Sequence, residues 1–554
     1  MLKKTLFFLL LVTACLSFPT LIENVNFGLV DWLRKDLSDI NFESLIQNDY
    51  EFVHGVASGD STNDSVILWT RISPSIETTD DIPVFLSISE DKLFKNQSTF
   101  TVVTNQKVDY TVKVDITGLL PNRDYYYQFF ALSGRSSRIG HTKTFPNEND
   151  IIEEIKFSVH SCSNYAGGFF TAYAMSAIKE SVDFVIHLGD YIYEYENGKY
   201  TNGTDIGRTH FPNKELYELD DYRQRYGSYR LDEDLQLSHG DYPWVVVWDD
   251  HELADNSWLR GSVNTQGIEY VNRRNAFLQA YHEWMPIRPQ ENLSKIWRPF
   301  NFGDLADLFM IDTRHYSRDV TDTYDNGDYI ASIADRPERT MMGFDQEEWL
   351  YTSLNKSNAT WKLIGSQTVV NSISFEKIGE IIGDPFTERN YDSFDGYTAN
   401  RKRFIDAIVE NDLQNVILFS GDFHISWVHE IFSNSSTYNF QSGKGSSIVE
   451  FAVTGTSSPT TFPKNYTIEQ CYDVSELLVS SNEGVVWNEG WFRGYSEVNV
   501  NKDELVVKFY GVDVKNNDRE EVLLATFAVD KNTNHVRRDF NDVVAYGYLD
   551  KKLS

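Results

Sequence analysis

Between residues 51 and 146, apolar and polar positions alternate in short runs separated by turn residues: Ser65–Arg71, Val84–Ser89, Tyr110–Asp115 and Asp124–Phe130. Successive side chains of a strand point to opposite faces, so this two-residue alternation predicts strands covered on one side. Short strands with turns roughly every 8–12 residues predict a small β-sandwich of the fibronectin III or immunoglobulin type. Leu119-Leu-Pro-Asn-Arg-Asp-Tyr-Tyr-Tyr127 resembles the corner motif of fibronectin type III modules, with Asp in place of Thr.

From residue 152 to 535 the texture is different. Apolar β-type runs (Ile155–Val159, Phe184–Leu188, Trp244–Trp248, Asp307–Ile311, Trp361–Ile364, Val416–Phe419, Ser447–Val453) alternate with stretches of helical spacing. The helical stretches are Phe169–Glu180, Glu269–Trp284, Asp345–Leu354 and Ala399–Asp412, and the end, Glu504–Tyr510 and Val522–Val529, is β again. This order predicts an α/β layered domain with two sheets. The polar segment Glu196–Arg230 has weak periodicity and predicts a surface insertion near the site. Residues 18–50 read as a short helix-containing lead-in, and 536–554 as a C-terminal tail.

Residues 1–17 combine Lys3 and Lys4, an apolar run from Thr5 to Val12, and small residues up to Ser17. This predicts a signal peptide and a secreted protein; the run is too short for a transmembrane helix, and no later run is long enough. Val12-Thr-Ala-Cys15 also resembles a lipobox, which would make a cell-surface lipoprotein through Cys15. Glycosylation sequons beginning at Asn63, Asn96, Asn202, Asn292, Asn355, Asn358, Asn434 and Asn465 favour the secreted glycoprotein. The formal net charge of −32 argues against tight nucleic-acid binding. For an enzyme of anionic substrates such a surface needs bound multivalent cations to invert the local field.

Four apolar runs open into turns carrying metal-binding side chains. Cys162 follows Ile155–Val159; Asp190, with Tyr193, follows Phe184–Leu188; Asp249-Asp250-His251-Glu252 follows Trp244–Trp248; Asp422 and His424 follow Val416–Phe419. Such turns converge on the carboxyl edge of a sheet, where α/β proteins bind ligands. Cys162 and His424 suit a transition metal, and the Tyr193 phenolate suits a hard ion such as Fe³⁺. The Asp250 and Asp422 carboxylates suit Ca²⁺, Mg²⁺ or Mn²⁺, and Asp190 is placed to bridge two ions. Each residue has a plainer reading: Asp190 or Asp422 closing a turn, Tyr193 in aromatic packing, His424 in the core, Cys162 in a disulfide with Cys471. In series they point to a binuclear centre, and phosphoryl transfer is the chemistry that most needs one.

His251 is the candidate for protonating the leaving oxygen, with orientation of the ligand loop as its alternative role. Arg314, just past Asp307–Ile311, is a candidate for holding a phosphate oxygen, with a structural ion pair as its alternative. There is no nucleotide-binding P-loop and no Ser or Thr at a nucleophile elbow. The expected attack is therefore by metal-bound hydroxide directly on phosphorus, with inversion.

The order Ser161-Cys162, Gly189-Asp190-x-x-Tyr193, Trp248-Asp-Asp-His-Glu252, Ser420-Gly-Asp-x-His424, with His54-Gly-Val-Ala-Ser-Gly-Asp60 and Leu68-Trp-Thr-Arg71 before it, resembles the PhoD-type alkaline phosphatases of the metallophosphoesterase superfamily. The resemblance implies a four-layer α/β sandwich behind the small β-domain. It implies Fe³⁺ held by Cys162, Tyr193 and His424, Asp190 bridging, and Ca²⁺ at Asp422, with Mg²⁺, Mn²⁺ or Zn²⁺ as substitutes. By position Asp250 replaces a ligand Asn of related phosphatases, and Asn256 is the other candidate for that place. The implied activity is hydrolysis of small phosphate mono- and diesters, releasing inorganic phosphate. The alternatives are a phospholipase D or sphingomyelinase-like diesterase, or a non-catalytic surface glycoprotein.

Overall fold

The computed structural model describes residues 21–26, 40, 45, 47–382 and 388–539. The expected signal peptide and Cys15, most of the lead-in, and residues 540–554 of the expected tail lie outside the described residues. No helix among the described residues is long and apolar enough to cross a membrane. The chain forms two compact units, one built on the residues up to Asn147 together with Tyr226–Val245 and Leu278–Leu293, the other on the remainder.

In the first unit, Gly140–Lys143, Asp124–Ala131, Ile82–Ser89 and Ser98–Thr104 form one antiparallel sheet. Leu21–Asn24, Thr111–Thr117, Ser65–Arg71 and Val56–Gly59 lie side by side in a second. Alternation does what the sequence predicts: Tyr125, Tyr127, Phe129 and Ala131 are buried while their neighbours along the strand are not. They share one core with Val66, Leu68, Val112 and Val114 of the other sheet. Two segments far beyond residue 146 complete the unit. Pro243 and Trp244 pair in parallel with Ser58 and Gly59. Arg288 donates to both carboxylate oxygens of Asp115, at 2.7 and 2.9 Å.

The second unit contains two sheets. In one, Phe184–His187 pairs in parallel with Glu154–His160, followed by antiparallel Arg493–Asn501, Glu504–Val512 and Glu521–Asp530. The other has seven strands in the order Arg298–Phe302, Ala306–Met310, Trp361–Gly365, Val416–Ser420, Ile448–Ala452, Ser426–Ile431 and Val485–Glu489, the second to fifth running parallel. Rings join the sheets: Phe157 meets Phe419 edge-on at 5.5 Å, and Trp487 meets Phe527 at 5.5 Å. Val416–Ser420 is buried throughout. Its Val416 and Leu418 pack with Leu350, Leu354, Phe404 and Ile408 of two helices, Phe344–Lys356 and Thr398–Glu410. Its Phe419 faces Phe157. Cover on both faces explains why this run is continuously apolar.

The polar segment is largely exposed or half-buried from Glu196 to Asp220, but its last part carries a buried charge. Leu219–Tyr229 is helical, and Arg225 is fully buried. Its guanidinium donates to the carbonyls of Tyr193, Tyr195 at 3.0 Å, Phe211 at 3.1 Å and Pro212 at 2.8 Å. An arginine with five donors satisfies a cluster of buried carbonyls, and apolar periodicity does not register such a core residue.

Candidate metal centre

The site grows from backbone geometry. Cys162, Asp190, Asp422 and His424, each just past a strand, have left-handed backbones with φ of 57°, 58°, 64° and 57°, and Asn256 has φ of 46°. Residues other than glycine seldom adopt this conformation, and such strain gathers where side chains must be aimed. Five of the seven expected ligands share it. Backbone hydrogen bonds tie the first two turns together: Cys162 N to Gly189 O at 3.0 Å and Ser163 N to Asp190 O at 2.8 Å. Gly189 has φ of 105°, and a Cβ there would lie 2.5 Å from the Cβ of Asp249. Only glycine lets those two turns approach.

Glu252 stitches the same turns. Its buried carboxylate accepts the backbone N–H of Asp190 at 3.1 Å, Tyr191 at 2.5 Å and Asp249 at 2.7 Å. With the turns held, donor atoms gather in three groups: Cys162 with Asp190 and His424, Asp190 with Asp250 and His251, and Asp249 with Asp250 and Asp422. Within each group they lie within 4.8 Å of one another. Asp190 belongs to two of the groups, the second shared with Asp250 and the His251 imidazole. Tyr193 joins the first: its hydroxyl donates to Asp190 Oδ2 at 2.7 Å and lies 3.0 Å from His424 Nε2. Cys162 and Cys471 are both free and buried, so the alternative disulfide is not formed.

These residues fit cations. Asp249 Oδ2 and Asp250 Oδ1 are buried without a hydrogen-bond partner, and the charge nearest Asp250 Oδ1 is Arg314 Nη2 at 3.7 Å; one guanidinium among several buried carboxylates leaves room for further positive charge. Asn256 donates its backbone N–H to Asp250 Oδ2 at 2.6 Å and its amide N–H to Asp322 O at 2.8 Å. Its amide oxygen is the atom left to act as a ligand. Asp250 lies in two of the donor groups, and Asn256 is tied to it through its backbone N–H.

The chain matches the PhoD-like phosphatase pattern over residues 157–509 and the N-terminal domain of the same phosphatases over 41–146. The chain belongs to the PhoD-like phosphatase family. It is 36% identical over 405 residues to alkaline phosphatase D of Bacillus subtilis (strain 168), covering 71% of this chain and 68% of that one. It is similar to a solved structure titled "Structure of PhoD", with 31% identity, a TM-score of 0.77, and coverage of 88% of this chain and 91% of that one. It is a phosphoesterase hydrolase, which excludes the non-catalytic glycoprotein. An N-terminal β-domain followed by an α/β catalytic domain with mixed sheets is the fold of this family.

Around the PhoD-like centre, burial and crowded acids set the electrostatics. Burial, then Asp190 and Asp249, push the Cys162 thiol far above its usual range, and burial, then Asp190, do the same to the Tyr193 phenol. A coordinated cation deprotonates such groups outright. Burial raises Asp422 to about 7, partly offset by Arg314. Burial also opposes ionisation of Asp250, but Arg314 and His251 outweigh it and hold that carboxyl below its usual range.

His251 takes the opposite shift. Burial alone would lower it, but Asp250, Glu194 and Asp190 keep it protonated well above the usual range. Its Nδ1 lies 2.8 Å from Glu194 Oε2, and its ring stacks on Tyr193 at 4.4 Å between centroids. Nε2 is the nitrogen left for a substrate.

Arg314 is fully buried. It donates from Nε to Asp249, from Nη1 to Asp392 and from Nη2 to Asp422 at 2.7 Å. Each nitrogen meets a carboxylate, so the structure shows its ion-pair role.

Several contributors escape a reading by motif. Asp249 joins a donor group although position favoured Asp250. Glu194 and Glu252 act through backbone and imidazole contacts. Ser458, in a small-residue run, donates to the Tyr193 hydroxyl at 2.6 Å, and Tyr200, inside the polar segment, lies 3.2 Å from His424 Nδ1. Glu194 and Glu252 stood beside motif positions; Ser458, Tyr200 and Asp392 carried no local signal.

Proposed function

We propose that this chain hydrolyses phosphate monoesters and diesters at a two-cation centre, releasing inorganic phosphate. The observation that carries the reading is the gathering of Cys162, Asp190 and His424 in one donor group and of Asp249, Asp250 and Asp422 in another, with Asp190, Asp250 and His251 close together beside them. The thiol, phenol and imidazole end suits Fe³⁺, and the carboxylate and amide end suits Ca²⁺. Bound there, the cations would acidify a water and offset negative charge on the phosphoryl oxygens. The chain's own residues supply the rest. His251, protonated and fixed by Glu194, gives its proton from Nε2 to the leaving oxygen. Arg314 holds the Asp249 and Asp422 carboxylates and acts as a positioning residue.

The two ring-joined sheets and the helices on their outer faces support a four-layer sandwich. All eight sequon asparagines lie on exposed residues, which supports the reading of a secreted glycoprotein. The test is hydrolysis of glycerol phosphate and bis-p-nitrophenyl phosphate by protein stripped with a chelator and then reloaded. Both activities should vanish and return with iron plus calcium. Undiminished hydrolysis after complete stripping would overturn the reading.

A further inference from the structure

A cavity of about 310 Å³ opens beside the cation centre, near the lower end of the roughly 300–1,000 Å³ range of small-molecule sites. Its wall is apolar and aromatic: Phe375, Phe423, Phe462 and Tyr466 line it, with Val474 from the helix Ile468–Ser481. Phe375 and Phe423 stack at 5.9 Å, and these rings belong to one packed cluster. The far side belongs to the centre itself, through Asn256 and Asp392. Phe423 makes the link covalent, standing between Asp422 and His424.

Charge narrows the occupant. No Lys or Arg is among the described lining residues. Of the two carboxylates at the polar end, Asp392 is engaged by Arg314, Arg318 and Thr321, and Asp322 accepts the backbone N–H of Tyr324 at 2.8 Å. A second phosphate would meet Asp322 and Asp392 and no described lining Lys or Arg to bind it, whereas an apolar group would shed water against rings.

Resting on the phosphoesterase reading above, we infer that this cavity holds the apolar ester arm of the substrate. Preferred substrates are then phosphate esters carrying an aryl or short alkyl group, while sugar, glycerol or polyphosphate arms gain nothing there. Tyr324 frames the entrance. It is 71% exposed with a left-handed backbone, φ 70°, and its hydroxyl is tied to Asp255 Oδ1 at 2.9 Å.

The experiment uses the metal-loaded enzyme with methyl-, butyl- and phenylphosphonate, which bind as phosphate esters do but have no ester bond to break. Inhibition constants against glycerol phosphate hydrolysis are measured beside direct calorimetric binding. Affinity should rise by about tenfold or more from methyl to phenyl, the scale on which apolar pockets discriminate. The exposed Thr461 also lines the cavity, so Thr461→Trp should fill it and flatten the series; Phe462→Ala should weaken the phenyl preference. Because ratios are read, a general loss of activity cancels. A flat series in the wild type, or one unchanged in both variants, overturns the inference while leaving the hydrolase reading standing. Failure to hydrolyse glycerol phosphate strikes the hydrolase reading, and calorimetry still decides the pocket.

Discussion

Glu194 Oε2 lies 2.8 Å from Nδ1 of His251, and its Oε1 accepts the backbone N–H of Asp255 at 2.8 Å. One buried carboxylate thus fixes both the imidazole and the turn that follows it. His251→Gln should lower kcat by roughly 10²–10⁴-fold for alkyl phosphates, whose leaving oxygen needs a proton, and far less for p-nitrophenyl phosphate. Glu194→Gln should fall between, at about 10–100-fold. The sign of the pH effect follows from the role as proton donor: the acid form is present below the imidazole pKa and is lost as pH climbs through it. In the variant, the alkaline fall for alkyl esters should disappear. Equal losses on both substrate types would place His251 in a purely structural role.

Arg314 binds Asp249, Asp392 and Asp422 from a fully buried position. Removing one partner of a buried ion pair costs about 3–5 kcal/mol, because the other charge stays buried. Arg314→Met should therefore lower the melting temperature of chelator-treated protein. Calcium should recover part of the deficit, since a ligand bound to the folded state stabilises it. Thermal melts with and without calcium check this; a deficit identical in both conditions would show that Arg314 and the cations do not share the carboxylates.

A second electrostatic feature lies in the β-domain. Lys113 is fully buried and donates to the carbonyl of His282, and burial lowers its pKa to about 7 despite Asp60 and Glu283. Below that pH, folding must bury a charged ammonium. Between about 7 and the unfolded value of 10.5, the unfolded chain holds one more proton than the folded one. There the stability contributed by this site rises with pH by up to about 1.4 kcal/mol per unit. Lys113→Met should stabilise the protein most at pH 6 and progressively less towards pH 10. Denaturation midpoints of the two proteins across that range test it, and a gain independent of pH would contradict it.

Much of this could be read along the chain, for identifiable reasons. Strand Ser65–Arg71 matches its sequence prediction at both ends, because alternation and turn residues are local signals. Helix Thr398–Glu410 lies within one or two residues of its predicted span. Cys162, Asp190, Tyr193, Asp422 and His424 were legible because each sits at a fixed offset from an apolar run. What was hidden depended on distance in sequence. The pairing of Trp244 with Gly59, the reach of Arg225 to Tyr193, and Arg314 meeting Asp392 join segments that no periodicity connects. The left-handed turns were equally silent, since Asp, His and Cys do not announce that conformation as glycine does.

The shared position of Asp190 is the centre of the account, and metal content after Asp190→Asn tests it most directly. Wild-type protein, loaded and then desalted, should carry two metal equivalents per chain by elemental analysis. Asp422→Asn should lose the calcium-type ion and keep the iron-type one. Asp190→Asn should lose both, together with hydrolysis of mono- and diesters. Two equivalents retained in Asp190→Asn, with activity intact, would contradict a centre built around that carboxylate.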